Sequence, residues 1–414
     1  MLTWFRSRSI RRKMLVMLAI VALFRLGQYI PLPAADVQAV RRDVLFTGPV
    51  RILTGNALPR LSVLGLGVYP MIIAEGLMAL LVMRSPRLAA LAAEGHTGSE
   101  ELRRYTRRLT VLLALLLGAV VAAVAVRGDA VHRHGALVAA VLVACLTAGG
   151  AVSMRLAELL TERGFGDGAG VLIAVQVMAL LPGEFHQVQQ HSGTLALALL
   201  LSLLILTLAA NELVSGGERR IPIQYANRSI GRRSYGGQTT YYPMHVSGRK
   251  APIRGIAAAL FVLSLAVSAW PHSGWADAIR QYPTDGTDSW YLTLSLLGVG
   301  FLAIVNSFLA FSPTKAADRI ARYGGFIPGV RPGGPTAAYL RYVAFRLAAA
   351  RAHYRAVLAL VIFCVCILLG SRDTLPGGGT AFFLSLAMTA AIAKSIAQSI
   401  AAEYFEEVSY PLLR

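Results

Sequence analysis

The residues best placed to do chemistry in this chain are arginines. The segment Gly325–Gly333 (GFIPGVRPG) sets Arg331 among Pro328, Gly329, Pro332 and Gly333. The segment Arg219–Gly237 (RRIPIQYANRSIGRRSYGG, led by Glu218) carries Arg219, Arg220, Arg232 and Arg233. A guanidinium is a rigid multi-donor fork for carboxylates and carbonyls. Glycine permits tight backbone turns beside it, and proline stiffens the loop. The chemistry expected here is recognition: an ordered cationic surface, held off a membrane, on which a partner docks. Solvated surface charge accounts for most of the other loop arginines.

Glu75 is the other unusual charge. It lies inside an apolar run one turn from Ile72, where an ionised side chain is costly and by default functional. Two readings stay open: it faces an aqueous funnel, or it pairs with Arg25 or Lys394. Other apparent motifs dissolve. Gly164–Gly170 (GFGDGAG) lacks the third-glycine spacing of a dinucleotide fingerprint and follows no strand, so it reads as a flexible turn into a helix. His132 and His134 flank one residue, and two ligands without a third make a weak metal site. Cys145, Cys364 and Cys366 fall in apolar segments and read as small buried hydrophobes rather than a disulfide or metal pair. No Ser-His-Asp set, HExxH motif or phosphate loop occurs. No enzyme activity, cofactor or metal is expected.

The elements that must position these residues follow from composition. The chain has 414 residues, 56% of them hydrophobic, with a mean hydropathy of +0.58, well above a soluble domain. The net charge of +19 lies in short blocks between apolar runs, the arrangement of membrane topology rather than of a nucleic-acid binder. The runs cover Met14–Ile30, Val63–Met83, Leu109–Val126, Gly135–Val152, Gly168–Leu181, Thr194–Leu213, Gly255–Trp270, Tyr291–Phe311, Ala356–Gly370 and Thr380–Ala402. They make ten candidate bilayer-crossing helices, several of them short or Gly-interrupted, as suits helices packed inside a bundle or lining a cavity. No small-residue cleavage site closes the first, so no cleavable signal is expected. With the N-terminus inside, alternate connections hold 29 Lys and Arg on the inner side and 8 on the outer; Arg25, Lys394 and Arg414 complete the 40. That asymmetry places both termini in the cytoplasm. Ten spans divide into five and five, and an odd number per half forces opposite orientations, as in an inverted repeat. The expected fold is an all-α integral membrane protein of about ten transmembrane helices in two inverted five-helix halves, 1–190 and 191–414. Large cytoplasmic loops are expected at 214–254 and 312–355. Secondary transporters share this architecture.

Several strings occur in a telling order: RRKMLVMLAIVALFRLGQYIPLP at Arg11–Pro33, LGLGVYPMIIAEGL at Leu64–Leu77, SEELRRYTRRLT at Ser99–Thr110 and TERGFGDGAGVLIAVQVMALLP at Thr161–Pro182. The RRIPIQYA and GFIPGVRPG loops follow, then LPGGGTAFFLSL at Leu375–Leu386. Together they resemble the SecY family, the channel subunit of the Sec protein translocase, over nearly the whole chain. The resemblance implies a channel for unfolded polypeptide, passing it across or inserting it into the inner (cytoplasmic) membrane. Such a channel blocks ions with a ring of apolar side chains that dewets when empty. Aligned on the motifs, that ring falls on Val68, Ile72, Ala169, Ile173, Gly255 and Leu384; from periodicity alone these are ordinary apolar helix residues. Within Phe46–Arg60, the family's re-entrant plug falls on Val50, Arg51, Ile52, Leu53, Thr54, Gly55, Asn56 and Ala57, with a plain extracellular loop as the alternative. Arg331, Arg219, Arg220, Arg232 and Arg233 become the docking surface for a SecA-like motor ATPase or a ribosome. SecE-like and SecG-like small membrane subunits, secretory polypeptides and the lipid bilayer are the other implied partners. Small Ala169 and Gly255, charged Arg51 and Glu75, and no basic tail after Tyr410 depart from the family pattern. They point to a divergent or accessory member. A secondary transporter is the rival reading, and Glu75 is the one feature in its favour.

Overall fold

Among the described residues the apolar runs are largely helical, and breakers or caps mark several helix ends. This computed structural model describes residues 8–33, 35, 53–127, 131, 135–225, 228–230, 233–235, 239–245, 261–262, 313–368, 389–390 and 392–403. The chain divides into two compact units. The first comprises Met1–Leu200, Ala257–Thr287 and Val365–Arg414, the second Leu201–Ile256 and Asp288–Cys364.

The first unit holds α1 (Arg8–Tyr29), α2 (Tyr69–Arg84), α3 (Pro86–Ala93), α4 (His96–Arg127), α5 (Ala136–Arg163), α6 (Gly168–Met178) and the start of α7 (Leu181–Gly216). Pro70 opens α2, where its missing N–H costs nothing. Ser85, extended ahead of Pro86, ends it, and α3 turns away by 103°. Helices α4 and α5 have 32 and 28 residues, roughly 48 and 42 Å at 1.5 Å per residue. They pack through small residues: a Cβ on Gly118 would touch Leu146, and one on Gly150 would lie 3.0 Å from the Ala114 methyl. Close backbone approach of this kind replaces the hydrophobic drive that lipid removes. Glu158 joins their ends, accepting from Arg107 Nε at 2.6 Å and Arg155 Nη1 at 2.9 Å.

Among the described residues, three stretches are long and apolar enough to cross a membrane: His96–Arg127, Ala136–Arg163 and Gly168–Ala210. The third is broken twice, between α6 and α7 and again at Gly193 (φ 83°, ψ 172°). The second break falls one residue before Thr194, where the sequence places the start of a new span. The α4 helix begins at His96, thirteen residues ahead of its apolar run, because the basic SEELRRYTRR string is itself helical. Most of Gly255–Trp270, all of Tyr291–Phe311 and the first part of Thr380–Ala402 lie outside the described residues. Residues 392–402 of the last run are helical.

The second unit corrects the all-helical expectation. The first arginine-rich loop folds into strands β1 (Glu218–Tyr225), β2 (Arg228–Ile230), β3 (Arg233–Tyr235) and β4 (Thr239–His245); β5 (Gly325–Phe326) comes from the second loop. β1 is central in an antiparallel sheet ordered β4-β1-β5, with Glu218 opposite His245, Gln224 opposite Thr239 and Phe326, and Tyr225 opposite Gly325. The reason is alternation: Ile221 and Ile223 are buried while Arg220, Pro222 and Gln224 are exposed, the period of a half-buried strand. The buried face packs on α8 (Pro313–Arg322) and α9 (Gly334–Leu368) in a core of Ile221, Ile223, Met244, Ile320, Ile327 and Leu340, among others. The two loops are therefore one folded platform.

Candidate functional site

In the first unit, α6 packs against α5 and α1. Its start is fixed by caps: Asp167 Oδ2 accepts from the Gly170 N–H at 3.0 Å, and Thr161 Oγ1 from the Gly168 N–H at 2.9 Å. The GFGDGAG turn, expected to be flexible, is thus a braced entry. The last helical segment lies alongside this entry: a Cβ on Gly166 or Gly170 would make an ordinary contact, 3.5–3.6 Å, with Ile396 or Ile392. Gly55 and Gly67 press on Gln176, one turn beyond Ile173. Tyr69, at the head of α2, stacks on Phe261 with ring centroids 4.4 Å apart. The segments to which the sequence assigns ring residues are thus linked pairwise: the stretch leading into α2 touches α6, Tyr69 touches Phe261, and the entry to α6 touches the last helical segment.

Of those ring candidates, Val68, Ala169 and Ile173 are no more than 1% exposed and Ile72 is 4% exposed. Gly255 and Leu384 lie outside the described residues. So do Val50, Arg51 and Ile52 of the plug candidate. Its remaining residues are seated inward: Leu53, Thr54 and Ala57 are buried, with Gly55 and Asn56 half-buried. Tyr69 Oη donates to the Leu53 carbonyl at 2.8 Å, and Ser62 Oγ to that of Ala57 at 3.0 Å. Positive φ at Gly55, Asn56, Leu61 and Gly67 folds 53–68 into a knot of turns. Glu75 is half-buried on α2. Arg25 gives a 2.6 Å hydrogen bond to Gln28 Oε1 and lies over the Tyr29 ring.

In the second unit, Arg331 is exposed on a fixed backbone. Its carbonyl accepts from Thr336 Oγ1 at 2.8 Å, while Gly329 and Gly333 take φ of 79° and 97°. Arg219 and Arg220 are exposed on β1, with Arg220 Nε 2.7 Å from Glu218 Oε1. Arg219 stands six residues from Tyr225, roughly 20 Å along the strand at ~3.3 Å per residue. Arg232 and the side chain of Arg233 are outside the described residues. So are His132 and His134; among the described residues no group of three metal-ligating side chains occurs. Cys145 is half-buried and Cys364 exposed on the apolar α9. The expected burial is not found at Cys364.

The SecY family model matches residues 62–393, from just before α2 to the start of the last helical segment. The chain belongs to the SecY family. It is 34% identical to the protein translocase subunit SecY of Streptomyces galbus and 30% identical to that of Mycobacterium bovis, in each case over 97% of both chains. Its fold is that of helical membrane channels. A solved protein-conducting channel matches with a TM-score of 0.65 and 16% identity, and Sec61 from a canine ribosome–channel complex with 0.62 and 13%. Each alignment covers 99% of this chain and 96% of the other. SecY membership accounts for the two platform loops and the capped α6 entry. Gln176 escaped the sequence reading; a lone amide in the run VLIAVQVMALL was the available signal.

Proposed function

We propose that this chain is the channel subunit of a protein translocase, passing unfolded polypeptides across the cytoplasmic membrane and inserting them into it. The observation that carries this reading is the contact of α6 with the turns at 53–68 and with the last helical segment, and of Tyr69 with Phe261, in a SecY-family chain whose Val68, Ile72, Ala169 and Ile173 are all buried. The four form the described part of an apolar ring that also includes Gly255 and Leu384. Residues 50–57 plug it from outside. The pore is passive and catalyses no reaction. A SecA-like motor or a ribosome docks on Arg331, Arg219, Arg220, Arg232 and Arg233 and supplies the drive; the ribosome-bound state of the related Sec61 supports the second partner. SecE-like and SecG-like subunits complete the assembly in the bilayer. Ten spans in two inverted halves, 1–190 and 191–414, with both termini cytoplasmic, are the topology that the charge asymmetry favours.

The ring gives the test. Replacing Ile72 with Asn puts a hydrogen-bonding group where water must be excluded, so wetting becomes easier. Purified Ile72→Asn in planar bilayers should leak ions at rest where the wild type opens only rarely. A transporter core would lose transport without gaining a pore. Unchanged conductance in a folded, inserted variant overturns the ring.

A further inference from the structure

Gln176 is the side chain that the apolar interior of the first unit leaves unsatisfied. It is fully buried on α6, and neither Nε2 nor Oε1 has a hydrogen-bond partner. Backbone holds it there. A Cβ on Gly67 would lie 2.6 Å from Nε2, and one on Gly55 would lie 2.7 Å from the Gln176 carbonyl oxygen. Both glycines also have positive φ, +54° and +62°, so they are needed for conformation as well as for room. Gly67 adjoins Val68, and Gln176 is one turn from Ile173. The amide therefore sits between two ring candidates, under the segment that must lift if the pore opens.

A buried primary amide with its donors and acceptor unmade has lost hydration without compensation. That penalty belongs only to the state in which 53–68 covers Gln176. It disappears when the segment lifts and water or a polypeptide backbone reaches the amide. A peptide unit offers one acceptor and one donor whatever its sequence, so such contact is independent of substrate sequence. We infer that Gln176 is a gating residue: its unsatisfied amide destabilises the covered state, sets the threshold for opening, and thereby sets how weak a signal sequence the channel accepts. This inference rests on the channel reading above.

Gln176→Leu and Gln176→Met keep the side chain's approximate volume and remove the amide. If the amide is a penalty, both variants stabilise the covered state. Hydrogen exchange of the backbone amides in 53–68, measured on the full chain in lipid nanodiscs, should slow about tenfold, and resting single-channel openings should become rarer by a similar factor. A residue that merely packs would give the opposite sign, because an imperfect replacement loosens its surroundings. Unchanged or faster exchange in both variants overturns the inference, and so does slowed exchange with wild-type opening frequency. Failure of the channel reading shows separately, as an Ile72→Asn protein that does not conduct; the exchange measurement needs no conduction.

Discussion

At the scale of single residues, Arg331 has what a docking contact needs: a backbone fixed by Thr336 and two positive-φ glycines, and a guanidinium left in solvent. Little backbone entropy remains to be lost when a partner engages it. Charge reversal removes the donor fork and repels acidic groups on the partner, costing roughly 2–5 kcal/mol if the contact is desolvated. The expected outcome for Arg331→Glu is loss of most reporter secretion and at least ~30-fold weaker binding of the motor or ribosome, at wild-type channel abundance. Normal secretion at normal abundance would retire this role. Arg220 should matter less, because its exposed pair with Glu218 already engages the guanidinium and such pairs contribute about 0–1 kcal/mol.

Among the elements, the platform is held by its own small core, which makes its integrity separable from that of the spans. Ile320 is buried there beside Ile223 and Gly325. Truncating a buried isoleucine to alanine costs about 2–5 kcal/mol, large for so few residues. Ile320→Ala should therefore speed proteolysis within 214–254 and 312–333 in membrane vesicles, while 96–163 stays protected; equal protection of the platform in variant and wild type would deny that core its role. The three described membrane-length stretches were legible in the sequence because a long apolar run needs no partner to be recognised, and the break at Gly193 fell where Thr194 had marked a new segment. The sheet was not. The alternation in IPIQY was present, but β5 is two residues long and pairs with β1 across about a hundred residues, a distance no local pattern spans. Arginine density disguised a strand as a loop. Gln176 was hidden for a related reason, since its burial depends on Gly55 and Gly67, which reach it only in the folded chain.

For the whole molecule, the decisive question is which side each loop faces, because a docking platform is useful only where a motor or ribosome exists. The distribution of 29 basic residues on one set of connections against 8 on the other favours cytoplasmic exposure for Arg331 and Gly237, and outside exposure for His134 and Gly286. The same orientation puts the plug candidate at 50–57 on the outer side of the ring, where a closing element must lie if polypeptide enters from within. Single cysteines at these four positions, in a chain with Cys145, Cys364 and Cys366 replaced, can be read with a membrane-impermeant thiol reagent. Positions 134 and 286 should label in intact cells. Positions 237 and 331 should label only after the membrane is opened. A fifth cysteine at Arg219, exposed at the far end of β1, should follow 331, because β1 and β5 belong to one sheet. Labelling of 331 from outside would put the platform beyond reach of any cytoplasmic partner and reverse the direction of transport through the ring, so the proposed docking surface and the pore assignment would fall together.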